Sequence, residues 1–156
     1  MASKNRLESE FTSPEESPGF LLWQVSNQWQ RHIRMALKEL DLTHVQFVLL
    51  ASIVWLEDHA RDVNQAVLSK HASIDKMMVS DVIRTLEKKQ FILRKVMPSD
   101  GRAFLIHPTP VGIKLIKKAI RAVEKADDEF FSRSQLSRKS IVDCFKGLYE
   151  SSESEI

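Results

Sequence analysis

The spacing of apolar residues along this chain is mostly that of α-helices. Together with capping signals it predicts six helices, over about 18–40, 44–57, 65–71, 75–89, 110–132 and 138–150. The first and fifth helices begin at Ser17-Pro18 and Thr109-Pro110, where a hydroxyl can cap the helix and proline fits the first position. The second is apolar on most faces, which is typical of a central core helix. In the last, we expect Ile141, Phe145 and Leu148 to face inward.

The segment between the fourth and fifth helices has a different pattern. Residues 91–97 and 103–107 are β-prone and flank a Pro-Ser-Asp-Gly turn at 98–101. Val63 is compatible with a strand of one or two residues. The sequence therefore predicts a mainly α fold, in which two short helices and a β-hairpin form a winged helix-turn-helix over about 62–108.

The length and composition fit one domain. We predict a flexible N-terminal arm over 1–17, a single domain over 18–150 and a frayed tail over 151–156. Cys144 is the single cysteine, so no intrachain disulfide can form, and we expect a buried, inert thiol. The sequence contains no apolar run of membrane-spanning length and no signal-peptide pattern, so we expect a cytoplasmic protein without a membrane partner.

Charge is distributed unevenly along the chain. Residues 61–120 hold 12 basic and 5 acidic residues, a net charge of +7, whereas residues 1–60 carry −3 and residues 121–156 carry −2. A basic centre between mildly acidic ends is typical of a polyanion-binding unit. Basic residues are also common on any surface, so the charge pattern alone leaves both interpretations open.

The fourth predicted helix must bury one stripe and present the other. Its outward residues are Lys76, Met77, Ser80, Asp81, Arg84 and Lys88. A helix of this length fits the major groove of DNA, where Arg, Lys and Ser reach base edges or phosphates. At the hairpin tip, an Arg held by a neighbouring Asp can enter the minor groove. The residues predicted to bind DNA are Asn64, Lys76, Ser80, Arg84, Lys88, Asp100 and Arg102.

Several segments resemble the MarR family of bacterial transcription regulators. They are Leu-Ser-Lys at 68–70, Ile-Asp-Lys-Met-Met-Val-Ser at 74–80, Leu-Glu-Lys-Lys at 86–89, Ser-Asp-Gly-Arg-Ala at 99–103 and Thr-Pro-Val-Gly at 109–112. The resemblance covers about 18–150, and its specific part is 64–112. It implies a homodimer built from the helices over about 18–40 and 110–150, with two recognition helices on a pseudo-palindromic operator. We therefore predict a sequence-specific, DNA-binding transcription regulator that acts as a repressor.

The same resemblance implies a small-molecule effector, often an aromatic carboxylate. Trp23, Trp29, Phe47 and Trp55 lie on the first two helices, where aromatic residues at helical spacing are usually core. The alternative is a pocket between these helices. Its predicted lining residues are Trp29, His44 and Phe47, with His44 donating to the carboxylate of a small aromatic effector.

Two residues keep a second interpretation open. The family's wing usually carries Asp-Arg-Arg, but here Gly101 replaces the first Arg, and Asp81 would lie close to phosphates. The alternative is a winged-helix protein–protein interaction module or antirepressor without operator binding. The sequence contains no phosphate-binding loop, nucleophile elbow or His-Glu-x-x-His motif. We therefore expect no enzyme activity, no cofactor and no metal site.

Overall fold

The computed structural model describes residues 8–97 and 100–153, with side chains described outside 100–103 and 151–153. The described residues form six α-helices and one antiparallel hairpin, which confirms the predicted fold class. The helices are α1 (Pro18–Leu37), α2 (His44–Asp58), α3 (Gln65–Ala72), α4 (Lys76–Lys88), α5 (Pro110–Phe131) and α6 (Arg138–Glu153), and the strands are β1 (Ile92–Met97) and β2 (Asp100–Pro108).

Side-chain caps set the start of most helices. At five helices, the side chain of the residue before the helix accepts a hydrogen bond from a backbone N–H of the first turn. At Thr43 the cap is reciprocal, because the Gln46 side chain accepts from the Thr43 backbone. The capping residues are Ser17, Thr43, Asn64, Asp75 and Thr109.

The structure differs from the predicted elements at four places. Pro14–Glu16 is a short 3-10 helix inside the arm predicted as flexible, and the first helix finishes with a 3-10 turn at Lys38–Leu40. α6 continues to Glu153, into the predicted tail. Val63 is not a strand residue, although its carbonyl accepts a hydrogen bond from the Ile106 N–H at 2.8 Å.

The core lies around α2. Leu49, Leu50 and Ile53 of this helix are fully buried, and α1, α3, α4, α5 and β2 all contact it. Where α5 begins, Gly112 lies so close to β1 that a Cβ atom would overlap the Phe91 carbonyl oxygen. Glycine is therefore required at this contact, and the long helix and the hairpin are fixed against each other.

Five predicted environments are wrong. Trp23 and Trp55 were expected in the core but are 66% and 49% exposed. Phe145 and Leu148 were expected to face inward but are 49% and 64% exposed, and Cys144 is exposed rather than buried. For the residues of α1 and α6 the reason is shared: the first half of α1 and all of α6 extend past the elements that surround α2, so little of the same chain covers them.

Candidate nucleic-acid interface

The turn between α3 and α4 fixes the angle of the two helices. Ser73 adopts a left-handed backbone conformation, with φ of 52°, immediately after α3. The Ser69 hydroxyl donates to the Ile74 carbonyl at 2.6 Å and closes the turn from the other side. On α4 the side chains of Val79, Ile83 and Leu86 are fully buried. The predicted inner stripe is thus confirmed, and it leaves the opposite face of α4 free.

The outer face of α4 is exposed along its whole length. Lys76, Met77, Arg84 and Lys88 are exposed, and Ser80 is half-buried. The Asp81 carboxylate accepts a hydrogen bond from the Arg84 guanidinium at 3.3 Å. Both side chains are about 70% exposed, so this pair adds little stability, and its effect is to orient the arginine.

The hairpin is attached to α4 through Arg94. Its guanidinium lies 2.6 Å from the Glu87 carboxylate, and it also lies over the ring of Phe104 at 5.4 Å from the centroid. The hydrogen bond to Glu87 raises the pKa of Arg94 above its usual value. Sequence analysis missed this contact, because a helix residue and a strand residue seven positions apart carry no periodic signal.

Two further charged contacts connect the winged helix-turn-helix to α2 and to the turn before it. Lys89, at the end of α4, donates to both the carboxylate and the carbonyl of Asp41, at 2.9 and 2.6 Å. The His107 Nδ1 lies 2.7 Å from the Glu57 carboxylate, joining β2 to α2. Each contact spans about 50 residues of sequence, so no local pattern could have predicted it.

The remaining predicted DNA contacts lie at the two ends of the unit. Asn64 is half-buried and its side-chain oxygen caps α3 by accepting from the Val67 N–H, so only part of it faces outward. Asp100 and Arg102 belong to the start of β2, opposite the end of β1. Their side chains, and the predicted turn residues 98 and 99, lie outside the described part, so the Asp100–Arg102 pair stays a prediction.

Two of the three predicted effector-binding residues, Trp29 and His44, are in contact with each other. The Trp29 indole donates to Asp127 of α5 at 2.7 Å, and its ring contacts that of His44 edge-on at 5.1 Å between centroids. Burial lowers the pKa of His44, Asp127 opposes this effect and Arg34 adds to it. Phe47 is half-buried against the core. Of the three residues, Trp29 also lines a cavity.

That cavity is a groove of about 670 Å³ between α1, α5 and α6. Trp29 and Asp127 lie at one end, and most of its surface is apolar. The other apolar side chains that line it are Leu22, Val25, Phe130, Phe131, Leu136, Ile141, Val142 and Phe145. The groove therefore joins the junction at Trp29 to the exposed apolar face of α1 and α6.

Other chemistry finds little support in the described residues. No group of three His, Cys, Asp or Glu side chains is arranged to hold a metal ion. No single described helix has the length and apolar character to cross a membrane; α1 and α2 meet those criteria only as a pair bent by 75°.

A recognition helix with an exposed outer face, a bracing helix and a hairpin attached by an ion pair define a winged helix-turn-helix protein. The MarR family model matches residues 42–104, which include α2 and most of this unit. The uncharacterized HTH-type transcriptional regulator YdcH of Bacillus subtilis is 48% identical over 124 residues, covering 80% of this chain and 84% of that protein. The chain therefore belongs to the MarR family and is a DNA-binding transcription regulator.

Two further comparisons agree with this assignment. The HTH-type transcriptional repressor Mb2911 of Mycobacterium bovis is 30% identical over 115 residues, or 74% of this chain and 80% of that protein. The crystal structure of the S. aureus MepR–DNA complex matches with a TM-score of 0.77 at 23% identity, over 92% of this chain and all of that one. At that identity the likeness shows the fold, which is the one found here.

Proposed function

We propose that this protein is a transcriptional repressor that binds a pseudo-palindromic operator as a homodimer and acts in the cytoplasm. The observation that carries the proposal is the outer face of α4. Its opposite face is fully buried, so the helix is held rigidly, and Lys76, Arg84 and Lys88 project from it into solvent. A helix held in this way can insert into the major groove without reorganisation.

The charges on this face support distinct roles. Arg84, oriented by Asp81, is suited to bidentate recognition of guanine. Lys76 and Lys88, near the two ends of α4, are suited to phosphate contacts, as is Arg102 for the minor groove beside the wing. The residues 61–120 that contain the unit carry a net charge of +7, which favours association with DNA over other partners.

The homodimer is supported by the apolar face that one chain leaves open. Phe20, Leu22 and Trp23 of α1 and Phe145 and Leu148 of α6 are 41% to 66% exposed. A second copy would cover these side chains and place two recognition helices about one DNA turn apart, roughly 34–36 Å. Operator binding is enough for repression, because a protein bound inside a promoter excludes the polymerase. One relative is named as a repressor.

The test is duplex selection followed by a salt titration. We expect the full-length protein to enrich a palindromic sequence from a random duplex library. Its affinity for that sequence should fall steeply between about 50 and 200 mM salt, because phosphate contacts release counterions. A flat salt dependence, or no enriched sequence, would instead support the protein–protein interaction module or antirepressor.

We further propose a small aromatic effector at the junction of Trp29, His44 and Phe47. The indole of Trp29 and the half-buried His44 offer an aromatic wall and one polar group, and both lie between α1, α2 and α5. Asp127 would repel a carboxylate, so an acidic ligand must direct its charge toward Arg34 and His44. A ligand that separates these helices would change the spacing of the recognition helices.

The measurement is tryptophan emission during titration with an aromatic acid and with its neutral amide, with and without operator. Coupling between the sites is reciprocal, so operator should weaken ligand binding by the factor by which ligand weakens operator binding. If the emission changes are the same with and without operator, the ligand binds but has no regulatory role.

A further inference from the structure

Met77 is the most exposed large hydrophobic side chain among the described residues, at 80%. It lies in the first turn of α4, on the face whose other members are polar or charged. The inward residues of the same helix are fully buried. Single exposed apolar side chains are common on protein surfaces. What sets Met77 apart is its position in the first turn of the helix that is proposed to meet DNA.

The position of Met77 on α4 is that of a base-contacting residue. Ser80, Asp81 and Arg84 follow it by three, four and seven residues, so all four side chains share one strip of the helix. In helix-turn-helix proteins, the N-terminal residues of the recognition helix approach the base edges. If α4 enters the groove with Arg84 near a base, Met77 enters it too.

The chemistry of the side chain restricts what Met77 can contact there. It has no N–H or O–H to donate and no charge, so it cannot bind phosphate or hydrogen-bond strongly to a base edge. Among the base edges of the major groove, the thymine C5-methyl is the apolar group. The flexible, polarisable methionine chain is well suited to cover it.

Met77 lies on an open part of the α4 surface. It lines a depression together with Asp75, Met78, Asp81, Val82 and Thr85. The elements that pack closely against α4 are α2, α3 and β1, all on its inner side. The open apolar face of α1 and α6 belongs to another part of the molecule.

We propose that Met77 determines part of the operator sequence by contacting a thymine methyl in each half-site. This inference rests on the proposed operator binding and adds to it the class of base that the first turn of α4 selects.

The experiment replaces thymine by deoxyuridine, which removes the methyl group and leaves base pairing intact. Each thymine of the selected operator is replaced in turn, symmetrically in both half-sites, and the affinity of the full-length protein is measured. One position should lose affinity by about fourfold per half-site, the effect of one buried methyl group. The other thymines should show little change.

Two variants of equal helix propensity provide the matched control. Met77→Leu keeps an apolar side chain and should retain the preference for thymine over deoxyuridine, whereas Met77→Gln should lose it. Arg84→Ala should weaken binding and leave the preference unchanged, because it acts on a different base.

The possible outcomes are separable from those of the proposed function. Selective operator binding with equal affinity for thymine and deoxyuridine at every position would overturn the Met77 contact and leave the repressor proposal intact. A preference that survives in Met77→Gln would assign the methyl contact to another side chain. A protein that selects no duplex would contradict both proposals.

Discussion

The winged helix-turn-helix over about 62–108, called the winged unit below, buries its apolar side chains more completely than the flanking helices α1 and α6 do. In the winged unit, Val79, Ile83, Leu86 and Ile106 are at most 1% exposed. On α1 and α6, residues as large as Trp23 remain 66% exposed. The winged unit therefore closes its core within one chain, whereas the flanking helices do not.

The two regions therefore differ in what holds them in place. The unit that contacts DNA is held by its own chain, through buried side chains and through the ion pairs of Glu87–Arg94 and Asp41–Lys89. In the proposed homodimer, the spacing of two such units depends on α1 and α6, which a second copy would cover. A signal that acts on the flanking helices could alter operator binding without unfolding the recognition helix.

The largest expected effect concerns the contact that closes the winged unit against α5. Gly112→Ala should lower the free energy of unfolding by about 3 kcal/mol, because the new methyl group overlaps a backbone carbonyl that cannot rotate away. Gly147→Ala is the control, since its Cβ would meet nothing within 4 Å and alanine favours helix by about 1 kcal/mol. Urea unfolding of both variants measures the difference; equal stability would contradict the close contact.

The second prediction tests the open face. Phe145→Glu places a charge on the apolar surface of α6 and should raise the dissociation constant of the dimer by roughly 100-fold. Light scattering at low micromolar protein should then give a mass near 18.0 kDa rather than twice that value. Val96→Glu is the control, because Val96 is similarly exposed, at 57%, but lies on the wing. If both variants remain dimeric, the interface lies elsewhere.

The third prediction concerns the recognition helix itself. Arg84→Ala should weaken operator binding by about 1–3 kcal/mol and relax the preference at one base pair, if the arginine contacts guanine. Arg121→Ala removes an exposed arginine from α5 and should leave the preference unchanged. Anisotropy titrations on specific and random duplexes distinguish the cases. An equal loss of affinity on both duplexes would show that Arg84 contacts only phosphate.

The smallest effect is expected at His44, in the first turn of α2 beside Trp29 of α1. Burial lowers the pKa of His44, so the unfolded chain binds a proton more readily than the folded one. The free energy of unfolding should therefore fall as the pH drops below about 6.5 toward the lowered value. His44→Gln should lose less stability between about pH 7.5 and 5.5 in parallel urea titrations. Identical losses would show that His44 titrates normally.

Much of the local structure could be predicted from the sequence. The caps at Ser17 and Thr109 are confirmed, because a cap is a contact between residues two or three apart. The buried stripe of α4 is confirmed for the same reason, since periodicity reports which side chains share a face.

The environments of Trp23, Trp55 and Cys144 were not predictable in this way. Periodicity shows that apolar residues share a face but not whether the same chain has an element to cover that face. At the candidate site, the outward residues of α4 followed from the pattern. The contacts of Arg94, Lys89 and His107, which hold that helix and the wing in place, did not.

The sequence by itself determined the helices, the hairpin and the residues available to contact DNA, because each depends on neighbours within about one turn. The tertiary structure alone decided that Lys89 reaches Asp41 across 48 residues, that Gly112 must lack a side chain, and that α1 and α6 remain open. These features depend on where distant segments meet in space, and the position of the recognition helix relative to the flanking helices is set by them.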